Sequence, residues 1–168
     1  MIKLKWIEDE VPTNVEVRQV YGVVFTKDGR ILLKCEEKKG KKIYSLAGGT
    51  PEYFDKTRED TLKREFLEEV NTSLKNEVIY LGYQEVDEDD SNLVYAQVRM
   101  TAMIDNIGKK QPDPDNGKTY DRILVSSKMA IKLLSWGYIG EKIILKATKI
   151  AKEKFGLKIY EGEEIIEI

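Results

Sequence analysis

The segment Arg64–Glu69 places an arginine and three glutamates within six residues. On a helix, at about 100° per residue, Glu65, Glu68 and Glu69 share one arc roughly 100° wide. Like charges three and four positions apart repel, so this cluster is costly unless a cation or a basic partner neutralises it. Carboxylate oxygens are ligands that Mg²⁺ and Mn²⁺ prefer. We therefore predict that the three glutamates bind Mg²⁺ or Mn²⁺; a solvated acidic helix face is the alternative.

A diglycine precedes this segment. Residues 43–46 alternate as a short strand does, and the strand ends just before Gly48 and Gly49. Adjacent glycines allow positive φ angles and a close approach of the backbone to a ligand. We therefore assign Gly48 and Gly49 to substrate binding. Glu52 follows in the same loop and is a candidate to orient water or to add a metal ligand.

Together these segments resemble the signature of the Nudix hydrolase family, G-x5-E-x7-R-E-U-x-E-E-x-G-U, where U is aliphatic. The match covers residues 49–72, and its Arg-Glu-x-x-Glu-Glu centre is intact at Arg64–Glu69. Weaker similarity extends upstream to Tyr21, through residues 30–34 and 44–49. The resemblance implies an α/β fold, an α/β/α sandwich around a mixed β-sheet.

Two positions depart from that signature. Eight residues rather than seven separate Asp55 from Arg64, so the first glutamate of the family corresponds either to Asp55 or to Lys56. Asn71 stands where the family has glycine. Asparagine is the next residue most tolerant of the left-handed conformation that closes a helix, so this second change is mild.

The resemblance also implies a reaction, the metal-dependent hydrolysis of a nucleoside diphosphate linked to another moiety. The cations would bridge Glu65, Glu69 and Glu68 to the diphosphate. Glu68 is our candidate for the base that takes a proton from water. Arg64 is expected to orient the glutamates with its planar guanidinium rather than to contact the substrate.

Two residues are candidates to recognise the rest of the substrate. Arg18 could hold a phosphate or a ribose, and Tyr53 could stack on a base, since aromatic faces accept purines. The alternatives are a surface ion pair for Arg18 and packing for most aromatic residues. The loop Pro112–Gly117 is either a lid or an inert connection. The family also recruits an acid from a distant loop, for which Glu88–Asp90 qualifies by composition alone, although a solvated turn is favoured.

Composition excludes several other classes of site. The 168 residues contain no histidine and one cysteine, Cys35. A Ser-His-Asp triad, histidine zinc ligands and an internal disulfide are therefore excluded. The net charge is −2, so nucleic acid is not an expected partner. No apolar run approaches the roughly 20 residues of a membrane span, and we expect a cytoplasmic protein that acts on a small nucleotide.

We predict a single domain over residues 1–168, with a core at about 14–155 and an extra C-terminal helix. The predicted strands are 15–26, 31–36, a short strand near Tyr44, 78–86, 93–104 and 120–125. The predicted helices are 57–70, 129–134 and 141–155, with a break at 137–140 and a strand pair or tail at 157–168. The turn Trp136–Gly140 is expected to pack between helices, with a homodimer contact as the alternative.

Two other functions are compatible with these observations. The altered first position of the signature favours a catalytically inactive domain that binds a nucleotide and regulates a partner. The acidic helix face would also suit a structural domain that docks onto a basic protein. Metal binding and turnover together distinguish the three alternatives.

Overall fold

The computed structural model describes residues 1–89 and 93–168. In chain order its elements are β1 (Ile2–Ile7), β2 (Glu16–Phe25), β3 (Ile31–Lys38), β4 (Lys41–Ser45), β5 (Gly48–Gly49), α1 (Arg58–Val70), β6 (Thr72–Glu88), β7 (Leu93–Ile107), β8 (Asp121–Val125), α2 (Ser127–Leu134), α3 (Gly137–Glu153) and β9 (Ile166–Glu167). None of these described helices combines the length and the apolar character needed to span a bilayer.

The strands form one sheet in the order β1-β6-β7-β2-β3-β8-β9, while β4 pairs with β3 and β5 with β2. β2 and β7 run parallel, and the other pairs are antiparallel. The predicted mixed sheet is therefore confirmed. The parallel pair lies at the centre, where helices cover both faces.

Helix α1 covers one face of the sheet, and α2 and α3 cover the other. Phe66 of α1 and Val20 of β2 belong to one buried cluster, whereas Val23 of β2 and Ile143 of α3 belong to a second. Because successive strand residues point to opposite faces, β2 contributes to both cores, which explains its apolar run at 20–25. The predicted α/β/α sandwich is confirmed.

Helix α1 ends close to the predicted boundaries because both of its termini are capped. The Thr57 hydroxyl accepts a hydrogen bond from the Asp60 N–H at 3.1 Å, and the Asp60 carboxylate accepts one from the Thr57 N–H at 3.1 Å. This is a capping box. Asn71 closes the helix in the left-handed conformation, with φ 43° and ψ 49°, as predicted. The two caps fix where α1 begins and ends.

Several elements differ from the prediction. β1 has no counterpart among the predicted strands, because it is largely exposed and owes its form to pairing with β6 along Ile2–Ile7. β6 begins at Thr72 rather than at residue 78. α3 begins at Gly137 rather than at residue 141, since left-handed backbone at Ser135 already ends α2. Of the tail at 157–168, Ile166–Glu167 forms a strand, on the edge of β8.

Candidate functional site

Arg64 connects the loop before α1 to the acidic face of α1. Its Nε and Nη2 donate to the two carboxylate oxygens of Asp55 at 3.1 and 2.9 Å. Its Nη2 also donates to the Thr50 carbonyl at 2.9 Å. Its Nη1 donates to Glu65 at 3.0 Å and to Glu68 at 2.9 Å. The guanidinium, 16% exposed, therefore holds the loop and two glutamates in one arrangement.

Asp55, rather than Lys56, supplies the carboxylate that faces Arg64. Its side chain also accepts hydrogen bonds from the Glu52 N–H and the Thr61 hydroxyl, each at 2.9 Å. The bond from Arg64, helped by these two donors, lowers the pKa of Asp55 to about 2. Lys56 is exposed. The extra residue in the signature is therefore accommodated between Asp55 and the start of the helix.

Replacing Asp55 with asparagine is expected to destabilise the protein by about 2 kcal/mol near neutral pH, as hydrogen bonds to a charged group contribute roughly 1.5–3 kcal/mol. The pKa of Asp55 in the folded protein lies below its ordinary value of 3.8. The advantage of the wild type is therefore complete above about pH 4 and is lost as the pH falls towards about 2. Urea denaturation of both proteins at about pH 6 and about pH 2.5 measures this difference. An equal gap at both pH values would contradict the assignment.

Glu65 is buried against the diglycine. A Cβ atom on Gly49 would overlap the Glu65 carboxyl group, so glycine is needed there for close packing. Burial raises the pKa of Glu65 to about 7, although Arg64 acts in the opposite direction. A buried carboxyl with so high a pKa is stabilised in its charged form by any cation that binds beside it.

Glu69 occupies a different environment on the same helix. One of its oxygens accepts a hydrogen bond from the Gly48 N–H at 2.8 Å, and the other forms an ion pair with Lys34. Burial raises the pKa of Glu69, and Lys34 opposes that shift. Gly48 itself pairs with Tyr21 through the β2–β5 ladder. Both glycines thus contact glutamates, and their substrate-binding role stays a prediction.

Asp115, in the loop at 112–117, completes a group of acids that the sequence did not bring together. Glu65, Glu68 and Asp115, here called the acid cluster, each offer a carboxylate oxygen within 4.8 Å of the other two. The donor set consists of oxygen atoms only, and the single positive charge of Arg64 is shared with Asp55. This excess of negative charge and the choice of donors fit a hard divalent cation. Glu69, predicted as a third ligand, lies outside the acid cluster.

The loop that carries Asp115 is tied to the C-terminal end of α1. The Asn71 side-chain amide donates to the Lys109 carbonyl at 2.9 Å. Arg122 donates to one carbonyl at the end of α1 and to another at the start of the loop, both at 2.8 Å. The buried Asp113 accepts the Asp115 N–H at 2.8 Å. An Asx turn of this kind can be predicted from the sequence, but the position of the loop next to α1 cannot.

The structure describes the other predicted residues without testing their roles. Glu52 is exposed. Tyr53 is 96% exposed and meets Phe54 edge to face, with ring centroids 5.2 Å apart. Arg18 lies over the Tyr95 ring at 4.3 Å. Catalysis by Glu52 and substrate binding by Arg18 and Tyr53 stay predictions.

Two acids at the end of β6 contact residues outside the acid cluster. Asp89 forms an ion pair with Lys3 at 3.0 Å, and Glu88 accepts a hydrogen bond from the Tyr95 hydroxyl at 3.2 Å. Asp90 lies outside the described residues. The distant acid that reaches the glutamates in this structure comes from the later loop, as Asp115.

Comparison with known proteins gives a consistent result. The family model described as NUDIX domain matches residues 16–125. No curated protein matches the sequence. The pyrophosphohydrolase BsRppH of Bacillus subtilis is similar in structure, with a TM-score of 0.64 and 19% identity over 92% of this chain and 93% of that one. A NUDIX hydrolase from Nitrosomonas europaea gives a TM-score of 0.59 and 17% identity, covering 88% and 99% of the two chains. At these identities the similarity establishes the fold.

Proposed function

The chain belongs to the NUDIX domain family, and on that basis we propose that it hydrolyses the pyrophosphate bond of a nucleoside diphosphate linked to another moiety. The observation that supports this proposal most is the acid cluster, in which Arg64 holds Glu65 and Glu68. The name of the structurally similar BsRppH, a pyrophosphohydrolase, is in keeping with it. We further propose that the protein is cytoplasmic and uses Mg²⁺ or Mn²⁺.

Glu65, Glu68 and Asp115 are the residues that would hold the cation. A bound divalent cation screens the charge of the diphosphate and lowers the pKa of a coordinated water. Arg64 keeps Glu65 and Glu68 side by side, so their relative positions are set before the substrate arrives. Glu69, the further ligand predicted from the sequence, would have to release Lys34, whose ammonium group could then neutralise a phosphate oxygen.

Glu68 is the residue we propose as the proton acceptor. Its side chain is 24% exposed, more than that of Glu65 or Glu69, so water can reach it. Arg64 binds one of its oxygens at 2.9 Å and leaves the second for proton transfer. Glu52, in the loop of the diglycine, remains the candidate to orient the water.

An inactive, nucleotide-binding domain is the less favoured alternative. It rested on the altered first position of the signature, where a missing carboxylate would leave Arg64 unsupported. Asp55 supplies that carboxylate through two hydrogen bonds to Arg64. The alteration therefore leaves the arrangement of the glutamates intact.

Turnover in the presence of a metal tests the proposal directly. The purified protein is titrated with Mg²⁺ and Mn²⁺, and hydrolysis is followed over ADP-ribose, NADH, dinucleoside polyphosphates and nucleoside diphosphate sugars. Cleavage of at least one of them that depends on the metal is the expected result. Metal binding without turnover of any substrate would favour the inactive domain, and failure to bind either metal would favour a structural role.

Replacing Asp115 with asparagine is expected to raise the Mg²⁺ concentration needed for half-maximal activity about tenfold or more, because one anionic ligand is lost. Isothermal titration with Mn²⁺ measures the same loss without substrate. Asp121, an exposed acid that pairs with Lys110 at 2.8 Å, provides the matched control as Asp121→Asn. Unchanged metal affinity in Asp115→Asn would remove this residue from the site.

A further inference from the structure

A cavity of about 400 Å³ lies on the face of the sheet that α2 and α3 cover. Its walls include the rings of Tyr21 and Trp136 and the amide side chains of Gln84 and Gln97. The volume falls in the range of small-molecule sites, which are mostly apolar with a few placed polar groups. The roles proposed above for the acid cluster leave this cavity unused.

Strand register explains why these side chains converge. Gln84 of β6 lies directly opposite Gln97 of β7, so both point to the same face. Two residues further along β7, Arg99 is paired with Tyr21 of β2 and shares that face. Trp136, which lies between α2 and α3, also lines the cavity.

Arg99 is a buried cation that contacts residues of the cavity wall. It is 3% exposed, and its guanidinium lies 4.8 Å from the Tyr21 ring centroid and 5.6 Å from that of Trp136. Among the described residues no carboxylate pairs with it, and its Nε makes no hydrogen bond. Burial lowers its pKa to about 10. An unpaired buried cation is costly, which favours an electron-rich occupant of the space beside it.

The Arg99 guanidinium also determines the orientation of the side-chain amides of Gln84 and Gln97. Because arginine only donates, Gln84 and Gln97 must present their Oε1 atoms to it, at 3.2 and 3.3 Å. The Gln97 Nε2 is used by the Gln19 Oε1 at 3.1 Å. The Gln84 Nε2 has no partner among the described residues. Together with the Ser45 hydroxyl it is a polar group left to meet a ligand, and it can only donate.

The cavity also adjoins Glu69 and the diglycine. Lys34 lines the cavity and pairs with Glu69, the neighbour of Glu68 on α1. Tyr21, on the cavity wall, pairs with Gly48 of the diglycine. A diphosphate bound at the acidic face of α1 would therefore have this cavity as a neighbouring space for its base.

We propose that the cavity binds a 6-oxopurine base, as in guanosine or inosine nucleotides, with the base carbonyl accepting a hydrogen bond from Gln84 Nε2 and the ring lying against Tyr21 and Trp136. This inference rests on the proposed function, since it names the base of the same substrate. Adenine presents an amino group at the corresponding position, so two donors would face each other. Leaving a buried donor unpaired is the penalty that makes such sites selective.

Binding of IMP, GMP and AMP without metal, measured by tryptophan fluorescence and calorimetry, tests the proposal. IMP and AMP differ at the six-position of the purine, and IMP and GMP are expected to bind about tenfold more tightly than AMP. Equal affinities for IMP and AMP would overturn the inference. Equal competition by ribose 5-phosphate would also overturn it, because the cavity would then recognise an anion.

The variant Gln84→Glu separates hydrogen bonding from packing. It is almost isosteric, gives Arg99 an anionic partner, and replaces the donor with an acceptor. The preference for IMP over AMP is expected to vanish or reverse, with no fall in thermal stability. Gln19→Glu is the matched control, since Gln19 lies outside the cavity lining and only accepts from Gln97. A preserved IMP preference in Gln84→Glu would overturn the inference.

Turnover distinguishes this inference from the proposed function. GDP-glucose and ADP-glucose are compared as substrates in the presence of Mg²⁺. Hydrolysis of both at equal kcat/KM would overturn the base assignment and leave the hydrolase assignment standing. Discrimination between IMP and AMP in binding, with no hydrolysis of these sugar nucleotides or of any other substrate in the panel above, would overturn the hydrolase assignment and support the base site.

Discussion

Replacing Glu65 with glutamine is expected to lower kcat about 10³-fold while leaving the protein folded. Removing one group that stabilises the transition state typically costs two to three orders of magnitude. The amide oxygen of glutamine can still accept the hydrogen bond that Arg64 donates at 3.0 Å. Since burial raises the pKa of Glu65 to about 7, a neutral side chain should be tolerated without loss of stability. Single-turnover hydrolysis at saturating Mg²⁺ is the measurement.

Glu59→Gln provides the control, because Glu59 lies in the first turn of the same helix and outside the acid cluster. Its kcat is expected to stay within about twofold of the wild type. If Glu65→Gln retained most of its activity, with an unchanged thermal midpoint, then the acid cluster would not be the active site.

Replacing Arg64 with glutamine is expected to have the largest effect on stability, about 3–5 kcal/mol, because it leaves partly buried carboxylates without their cation. Asp55, Glu65 and Glu68 would then face one another without compensation. For a domain of this size the loss corresponds to a fall in the thermal midpoint of roughly 10 °C. Differential scanning calorimetry at neutral pH measures it.

The matched control is Arg58→Gln, which removes an arginine from the first turn of α1. Arg58 is 3.9 Å from Glu10, whose side chain is 82% exposed, and surface pairs of this kind contribute about 0–1 kcal/mol. Added Mg²⁺ should partly restore the midpoint of Arg64→Gln, since the cation replaces the lost charge. Equal midpoints for Arg64→Gln and Arg58→Gln would show that Arg64 does not hold the site together.

The sequence predicts the helix, the residue that closes it and its acidic face because all three depend on local interactions. Thr57 and Asn71 act on their own backbone neighbours, and helical periodicity sets the positions of the glutamates. The mixed sheet and the sandwich followed from the resemblance to a family. These features were confirmed by the structure.

The parts that could not be predicted depend on contacts between distant segments. Asp115 reaches Glu65 across some fifty positions because hydrogen bonds at Asn71 and Arg122 bring its loop back to α1. The ion pair between Lys34 and Glu69 joins β3 to α1 in the same way. Nothing in the local spacing of residues encodes such approaches, which explains why the ion pair of Glu69 was not predicted and why Asp115 was left in an unassigned loop.

The ladder between Tyr21 and Gly48 joins the wall of the proposed base cavity to the diglycine. Because Gly48 also donates a hydrogen bond to Glu69, a substitution that displaces this short ladder is expected to alter base preference and cleavage rate together.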